Sequence, residues 1–464
     1  MRTQLPFAPP YKGFYPRGEY LWAKRLGDIL IDAKREALEL LKEMNEVDIA
    51  DELEDFGDED SILIFRLLPK AMAADVFAYL SPERQHTYVS LLTDPELAYI
   101  INDLYSDDAV DFVEELPASV VKRVLSVASE ETRTQINHLL QYPEDSAGTV
   151  MTTEFVGLKR NMTVADAFGY IRRHGMDKET IYTCYVTNET RVLEGVVTVK
   201  MLLLSTESQR IGEIMDENVI FAYATDERED VANKVRKYGL DALPVVDNER
   251  RLVGIITVDD IIEIVEQENT EDFQLMAAIQ PSDELYLKTG PILHARRRIA
   301  WLVFLMISAI FTGLIIAVYE KALVLMPALM TAVPLLMDTG GNAGAQSSTL
   351  IIRSMALGEL SAKDWFRIVW METRVGLMAG STLAVGMYIV SIFALRREST
   401  LALTISITLI VTVVLAKVIG SMLPLVAKRI GIDPAIMAAP LITTIVDAGS
   451  LIVYFSLAMV LLGL

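Results

Sequence analysis

"HARRRIAWLVFLMISAIFTGLIIAVY", residues 294–319, decides what kind of molecule this is. Three arginines lead into the uncharged run 299–319, and a helix needs about 17–25 apolar residues to cross a bilayer. Toward the C-terminus, 375–395 and 399–416 are also uncharged, and 434–463 carries a single charge, Asp447. The stretch 322–352 is apolar but broken by Pro327, Pro334 and several glycines. The sequence therefore predicts five spans, at about 299–319, 322–352, 368–395, 399–425 and 434–463, within a transmembrane domain 291–464.

Toward the N-terminus the chemistry reverses. Residues 1–290 hold 29 basic and 55 acidic side chains, a net of −26, against 13 and 8, a net of +5, from 291 onward. Orientation follows from the placement of Lys and Arg. Arg296–Arg298, then Arg353, Lys363 and Arg367, then Lys428 and Arg429 share one side, which makes it the cytoplasmic one; Lys321, Arg396 and Arg397 fall opposite. The first residues have no apolar signal segment, and the single cysteine, Cys184, fits a reducing compartment. The expected arrangement has the acidic N-terminal domains in the cytoplasm and the C-terminus outside.

Residues 27–145 read as short amphipathic helices. "IADELEDF" (49–56), "AADVFAYL" (73–80) and "AVDFVEEL" (109–116) set Asp51, Asp75 and Asp111 at separations of 24 and 36, both multiples of 12. Either a helical superhelix or an ordinary bundle satisfies that pattern, and the domain is placed at 20–147.

From 148 to 265 the pattern turns mixed α/β and occurs twice. Gly195 and Gly254, and Thr198 and Thr257, are each 59 apart, and "VMT" (150–152) and "IMD" (214–216) open the copies. This resembles a tandem pair of cystathionine-β-synthase (CBS) domains. The resemblance implies a regulatory module, and many such pairs hold an adenine nucleotide such as ATP with a Thr/Ser and an Asp three residues on. Thr257 and Asp260 match that pattern in copy two, whereas copy one has Thr198 but Met201. "EIVEQENTEDFQLMAAI" (263–279) then crowds Glu263, Glu266, Glu268, Glu271 and Asp272 onto a connecting helix placed at 266–290. Like charges at that density repel, which favours a cation among them.

Two features of the membrane part ask for water or protein rather than lipid. Asp447 stands at mid-span, where a carboxylate costs about 2.5–3.5 kcal/mol on insertion scales. "PLLMDTGGNAGAQSSTLIIR" (334–353) gathers glycines and polar side chains that would loosen a helix, tolerable where backbone lines a wet cavity.

Together with "GGNAGAQ" (340–346), "RSMALGEL" (353–360) and "DPAIMAAPLITTIVDAGSLIVYF" (433–455), these features make nearly the whole chain resemble the MgtE family of bacterial magnesium channels. The resemblance implies a helical N domain, a CBS pair, an acidic plug helix and five spans. It also implies a homodimer in the bacterial inner membrane, its ion path on the twofold axis. By motif, Asp447 becomes the pore ligand and Asp433 a station at the cytoplasmic mouth. Gly341, Asn342, Gly344 and Gln346 become pore-lining, and Ala345 departs from the Asn that family members often carry there. Mg2+ usually keeps several waters and takes one or two carboxylates, so two copies of Asp447 suffice. Candidate regulatory Mg2+ ligands are Asp94, Asp259, Glu263, Glu266, Glu271 and Asp272, which at high cytosolic Mg2+ would favour a compact, closed state. The expected partners are a second copy, the lipid bilayer and divalent cations, with no nucleic acid.

A metalloprotease needs an H-E-x-x-H pair, and the four histidines, at 86, 138, 174 and 294, form none. An anion channel would be repelled by a pore carboxylate. A proton- or sodium-coupled divalent cation transporter is the serious alternative, because an intramembrane Asp also serves a proton relay. Two readings compete with the Asp447 pore: hydrogen bonding to Thr443 or Thr444, and an ion pair with Lys417.

Overall fold

The computed structural model describes residues 40–463 apart from 42, 283–285, 288 and 438. The part of the predicted N domain from 20 to 39 lies outside the described residues. The chain divides into two compact units between Ile261 and Ile262.

The first unit opens with eight short helices: α1 (Glu46–Asp55), α2 (Asp58–Phe65), α3 (Lys70–Ala78), α4 (Pro82–Leu91), α5 (Asp94–Asp103), α6 (Ser106–Glu114), α7 (Ala118–Val127) and α8 (Glu130–Leu139). Each starts 12 residues after the last. Leu53, Phe65, Phe77, Val89, Ile101 and Val113 recur at that interval and are all buried. A helix of about ten residues is marginal alone, so each gains its stability by packing on the helix two further along, α1 on α3, α3 on α5, α5 on α7. Pro82 and Pro95 sit in first turns, where the missing N–H costs nothing. The 12-residue interval is thus the repeat of a superhelix.

The mixed region contains β1 (Gly157–Lys159), α9 (Val164–His174), β2 (Thr183–Thr187), β3 (Leu193–Thr198) and α10 (Val199–Leu204), then α11 (Ile211–Ile214), β4 (Ala222–Tyr223), α12 (Arg228–Tyr238), β5 (Ala242–Val246) and β6 (Leu252–Thr257). Both sheets have the same design: a parallel pair, β1 with β2 and β4 with β5, followed by an antiparallel strand, β3 or β6. The copies interlock. Thr152, from the motif that opens copy one, bridges Ile255 in copy two, and Asp216, from the motif that opens copy two, bridges Val196 in copy one. This explains the repeated glycines. A Cβ on Gly195 would lie 2.7 Å from the Met215 sulfur, and one on Gly254 would lie 2.7 Å from the Met151 sulfur. Each glycine makes room for the methionine of the other copy's opening motif.

From β6 a single helix, α13 (Val258–Met276), runs without a break through the end of copy two and the acidic stretch. No helix boundary falls at 265/266.

The second unit contains α14 (Pro291–Val318), α15 (Glu320–Leu325), α16 (Val333–Ala356), α17 (Trp365–Ile389), α18 (Ser399–Arg429) and α19 (Ala439–Leu462). Among the described residues four helical stretches are long and apolar enough to cross a membrane: Pro291–Val318, Ala362–Ala394, Ser399–Arg429 and Pro434–Leu462. The expected second span, α16, has 24 residues but too polar a composition to join them. It is also continuous, where its prolines and glycines predicted a loosened segment. Pro327 lies in the 3-10 turn Pro327–Ala332, and Pro334 occupies the first turn of α16, so neither removes an interior hydrogen bond. α18 is the central helix, packed against α16, α17 and α19. Thr404, Ser406 and Thr408 are buried on it and return their hydroxyls to carbonyls four residues back, so these three donors are met.

Candidate functional site

α16 has two faces of opposite character. Gly340, Gly341 and Gly344 are buried. A Cβ would stand 2.9 Å from Thr412 and Val446 at Gly340, 2.8 Å from Thr443 at Gly341 and 2.8 Å from Ile442 at Gly344. Small residues let helix backbones close to this distance, and Gly420 of α18 meets the Gly344 backbone directly. Gly341 and Gly344, expected to line a pore, therefore sit at helix crossings. Asn342 and Gln346 are exposed, and with Asp338 and Thr349 they follow steps of four, four and three residues along one stripe. A polar stripe on a helix packed among apolar spans needs water or another chain against it.

Asp447, on α19, is half-buried. Thr443 and Thr444 donate their hydroxyls to the Pro440 carbonyl at 2.9 and 3.1 Å, which removes them as partners of the carboxylate. Lys417 is engaged elsewhere. Its Nζ donates to Ser347 Oγ at 3.3 Å and lies 4.0 Å from Glu372 Oε2, to which Ser347 Oγ donates at 2.5 Å. Asp447 Oδ1 is left fully buried with no hydrogen-bond partner. Burying such an acceptor unmet costs about 1–3 kcal/mol, more when it is charged.

The Glu372–Ser347–Lys417 triad was not singled out in the sequence. Glu372 lies beside Arg374 at the entry of α17 and reads there as an interfacial charge. Lys417, set in α18 well ahead of its terminal Lys428 and Arg429 and among uncharged residues, was the available signal that a counter-charge had to be near.

At the other end of the bundle Asp433 is exposed, and its Oδ1 accepts the Ala435 N–H at 2.7 Å, capping the short helix Pro434–Met437. The end of α13 lies against this region. Leu275 packs with Ile352 and Ala435, and Arg353 Nη1 donates to Asn269 Oδ1 at 3.0 Å. Asp272 is pushed up to about 6, by burial first, then by the charges of Asp433, Glu268 and Glu271, with Arg353 opposing. The two predicted positions Asp272 and Asp433 are thus brought together. Glu263 and Glu266 are exposed, on the opposite side of α13 from Asp272, and Glu271 is intermediate.

In the first unit the acids gather where α6 meets the CBS pair. Glu154 accepts from the Ser106 backbone and hydroxyl at 3.3 and 2.8 Å and from Thr152 at 2.8 Å, so it is satisfied. Beside it Asp107 is 8% exposed. Its carboxyl is held well above the usual range by burial and by the charges of Asp108, Asp260 and Glu179. Glu179 is pushed up to about 8 by burial and by Asp260, Asp108, Asp259 and Glu154, and its Oε2 is buried without a partner. Sequence reading missed Asp107 and Glu179, because nothing local distinguishes "SDD" from a solvated helix start. Asp259 lies at the edge of this group, and Asp94 lies outside it, its carboxylate taking two hydrogen bonds from Arg123 at 3.1 and 2.8 Å.

Asp260 also closes the start of α13, accepting from Thr257 N–H at 3.1 Å and Thr257 O–H at 2.5 Å. In copy one Thr198 Oγ accepts the Met201 N–H at 3.2 Å. The two equivalent threonines therefore differ: one is a simple cap, the other is tied to a carboxylate facing Asp107. Among the described residues no group of three or more His, Cys, Asp or Glu side chains converges as a direct metal cage.

Residues 333–457 match the family described as a divalent cation transporter, MgtE; residues 44–145 match the MgtE intracellular N domain, and 147–205 and 211–267 match CBS domains. The chain is 36% identical over 428 residues to the magnesium transporter MgtE of Thermus thermophilus, covering 91% of this chain and 94% of that one. It is 30% identical over 422 residues to the Bacillus subtilis protein of the same name, covering 88% and 92%. Among solved structures, the cytosolic domain of the Mg2+ channel MgtE in complex with ATP matches with TM-score 0.50 and 35% identity, over 52% of this chain and 99% of that one. The soluble part of a magnesium transporter matches with TM-score 0.51 and 30% identity, over 53% and 97%.

Proposed function

Because the chain belongs to the MgtE family of magnesium transporters, a family of transporters and not of enzymes, we propose that its second unit forms a Mg2+-conducting path in a homodimer. The observation that carries this reading is Asp447: a carboxylate in a membrane helix, its Oδ1 buried and unpartnered, beside the polar stripe of α16. Two copies facing each other across a twofold axis supply the one or two carboxylates that a largely hydrated Mg2+ takes. Asn342 and Gln346 then face the same path and hydrogen-bond the water shell. The five helices α14, α16, α17, α18 and α19 all cross the bilayer, with the N-terminal domains in the cytoplasm and the C-terminus outside. A site with few direct ligands holds the ion weakly enough to release it.

Mg2+ uptake into proteoliposomes tests this. Asp447→Asn abolishes uptake while the protein stays folded and dimeric; normal uptake by that variant sinks the path. A channel passes Mg2+ current without a proton or sodium gradient, and strict dependence on such a gradient selects the coupled-transporter reading.

Cytosolic Mg2+ closes the path. Asp107, Asp108, Asp260 and Glu179 are same-sign groups crowded into a buried junction, and a divalent cation held through its waters relieves them without the convergence of a direct cage. At the membrane end the acidic α13, with Asp272 beside Asp433, is the plug, and cation binding there favours the closed arrangement. An adenine nucleotide in the CBS cleft at Thr257 and Asp260 is a secondary proposal, which calorimetric titration of ATP with and without Mg2+ tests. The acids around Asp260 predict that a polyphosphate binds there only with its metal.

A further inference from the structure

Asp338 is the acidic residue of the polar stripe on α16. It is exposed on α16 and heads the stripe continued by Asn342 and Gln346. Its height relative to Asp447 follows from the helix crossing. A Cβ at Gly340 would touch Val446 at 2.9 Å and the Ser450 hydroxyl at 3.1 Å, so Gly340 lies level with Asp447. Asp338 is two residues, about 3 Å, further toward the start of α16. Among the described residues neither Asp338 nor Asp447 forms a salt bridge, and Asp338 is the charged group that bears on Asp447.

We propose that Asp338 is a second cation ligand of the ion path, lying just outside Asp447 and sharing with it the capture of a hydrated divalent cation. The proposal rests on the path through Asp447 argued above. An exposed carboxylate about a turn and a half into a bilayer helix is costly against lipid and cheap against a wet path. Two like charges on packed neighbouring helices raise the local negative potential and repel one another. One divalent cation relieves both at once, whereas a monovalent ion neutralises only one, so the pair favours divalent cations at the outer approach. With both subunits present the approach carries four carboxylates, two from each chain. Asp338 acts on capture rather than on passage, because Asp447 alone lies level with the α16–α19 crossing at Gly340 and Gly341.

The test is the initial rate of Mg2+ influx into proteoliposomes holding the full-length chain, measured across external Mg2+ concentration for the unaltered protein, Asp338→Asn, Asp338→Glu and Asp447→Asn. Asp338→Asn raises the half-saturating Mg2+ by about tenfold, the size of a 1.4 kcal/mol change, and leaves the maximal rate within about twofold. Asp338→Glu restores most of the lost affinity. Unchanged half-saturation in Asp338→Asn overturns the proposal, and so does a lowered maximal rate at unchanged half-saturation, the mark of a structural defect. If Asp447→Asn transports normally, the path itself is wrong. If Asp447→Asn is inactive and Asp338→Asn is indifferent, only the role of Asp338 falls.

Discussion

Two buried charge sites, one in each unit, are built in opposite ways. In the membrane unit Lys417 and Glu372 are buried together, bridged by the Ser347 hydroxyl, and three helices meet at the triad. At the junction of α6 with the CBS pair, the buried Asp107 and the half-buried Glu179 lie among Asp108 and Asp260, and the charges that raise both are acidic. A paired charge completes its own electrostatics and holds structure. A set of like charges is incomplete until something mobile arrives, whether a proton or a metal ion. Asp447, whose charged neighbour is the like-signed Asp338, belongs with the incomplete kind.

Breaking the pair has the largest expected effect on folding. Glu372→Gln strands a buried lysine and destabilises the membrane unit by about 3 kcal/mol, whereas Glu372→Gln with Lys417→Met, which removes both charges, recovers most of the loss. Thermal melts in detergent measure both, and equal losses in the single and double variants would show that the triad is held by packing alone. Asp447→Asn does the reverse, leaving the melt in place and ending uptake.

Neutralising the incomplete set gives a smaller effect of opposite sign. Asp107→Asn with Glu179→Gln stabilises the Mg2+-free first unit and reduces the protection from protease that Mg2+ confers. Protection unchanged by the pair of substitutions removes this junction as a sensor. The same groups set a pH dependence. Folded Glu179 keeps its proton up to about 8, whereas an unfolded glutamate releases it near the usual 4.5, so the folded state binds more protons between those values. Without Mg2+, stability therefore falls as pH rises through that window, and added Mg2+ protects more at pH 8 than at pH 6, where protons compete. Urea unfolding at the two pH values reads this directly. The smallest change is expected from Glu263→Gln with Glu266→Gln, on the exposed face of α13, which shifts Mg2+ protection less than Asp272→Asn does.

What the sequence revealed follows the range of the interactions involved. The 12-residue spacing, the 59-residue repeat and the uncharged runs are local patterns, and each corresponds to a real element: the superhelix, the interlocked sheets, the long helices. Glycine's low helix propensity predicts a loosened α16, and its continuity comes from the close neighbours Thr412, Thr443 and Ile442, which leave room only for glycine there. Asp107 and Glu179 are 72 positions apart and meet only through tertiary folding, so no window of sequence contained them. Asp94, a candidate regulatory ligand, accepts hydrogen bonds from Arg123, 29 positions on, a pairing that no local window contains.

The regular interval of the first eight helices makes that region a ruler. Its mark is a whole helix, so inserting or deleting 12 residues keeps every apolar position in phase and preserves the stack. Asp107 is on the sixth mark, and its distance to Glu179 and Asp260 is set by how many marks separate α6 from the CBS pair. One extra unit after α8 would leave a well-folded protein whose acids no longer meet. The meeting of these acids is thus recorded as a number of helices, a quantity that point substitution cannot alter and that a change of length alters in whole steps.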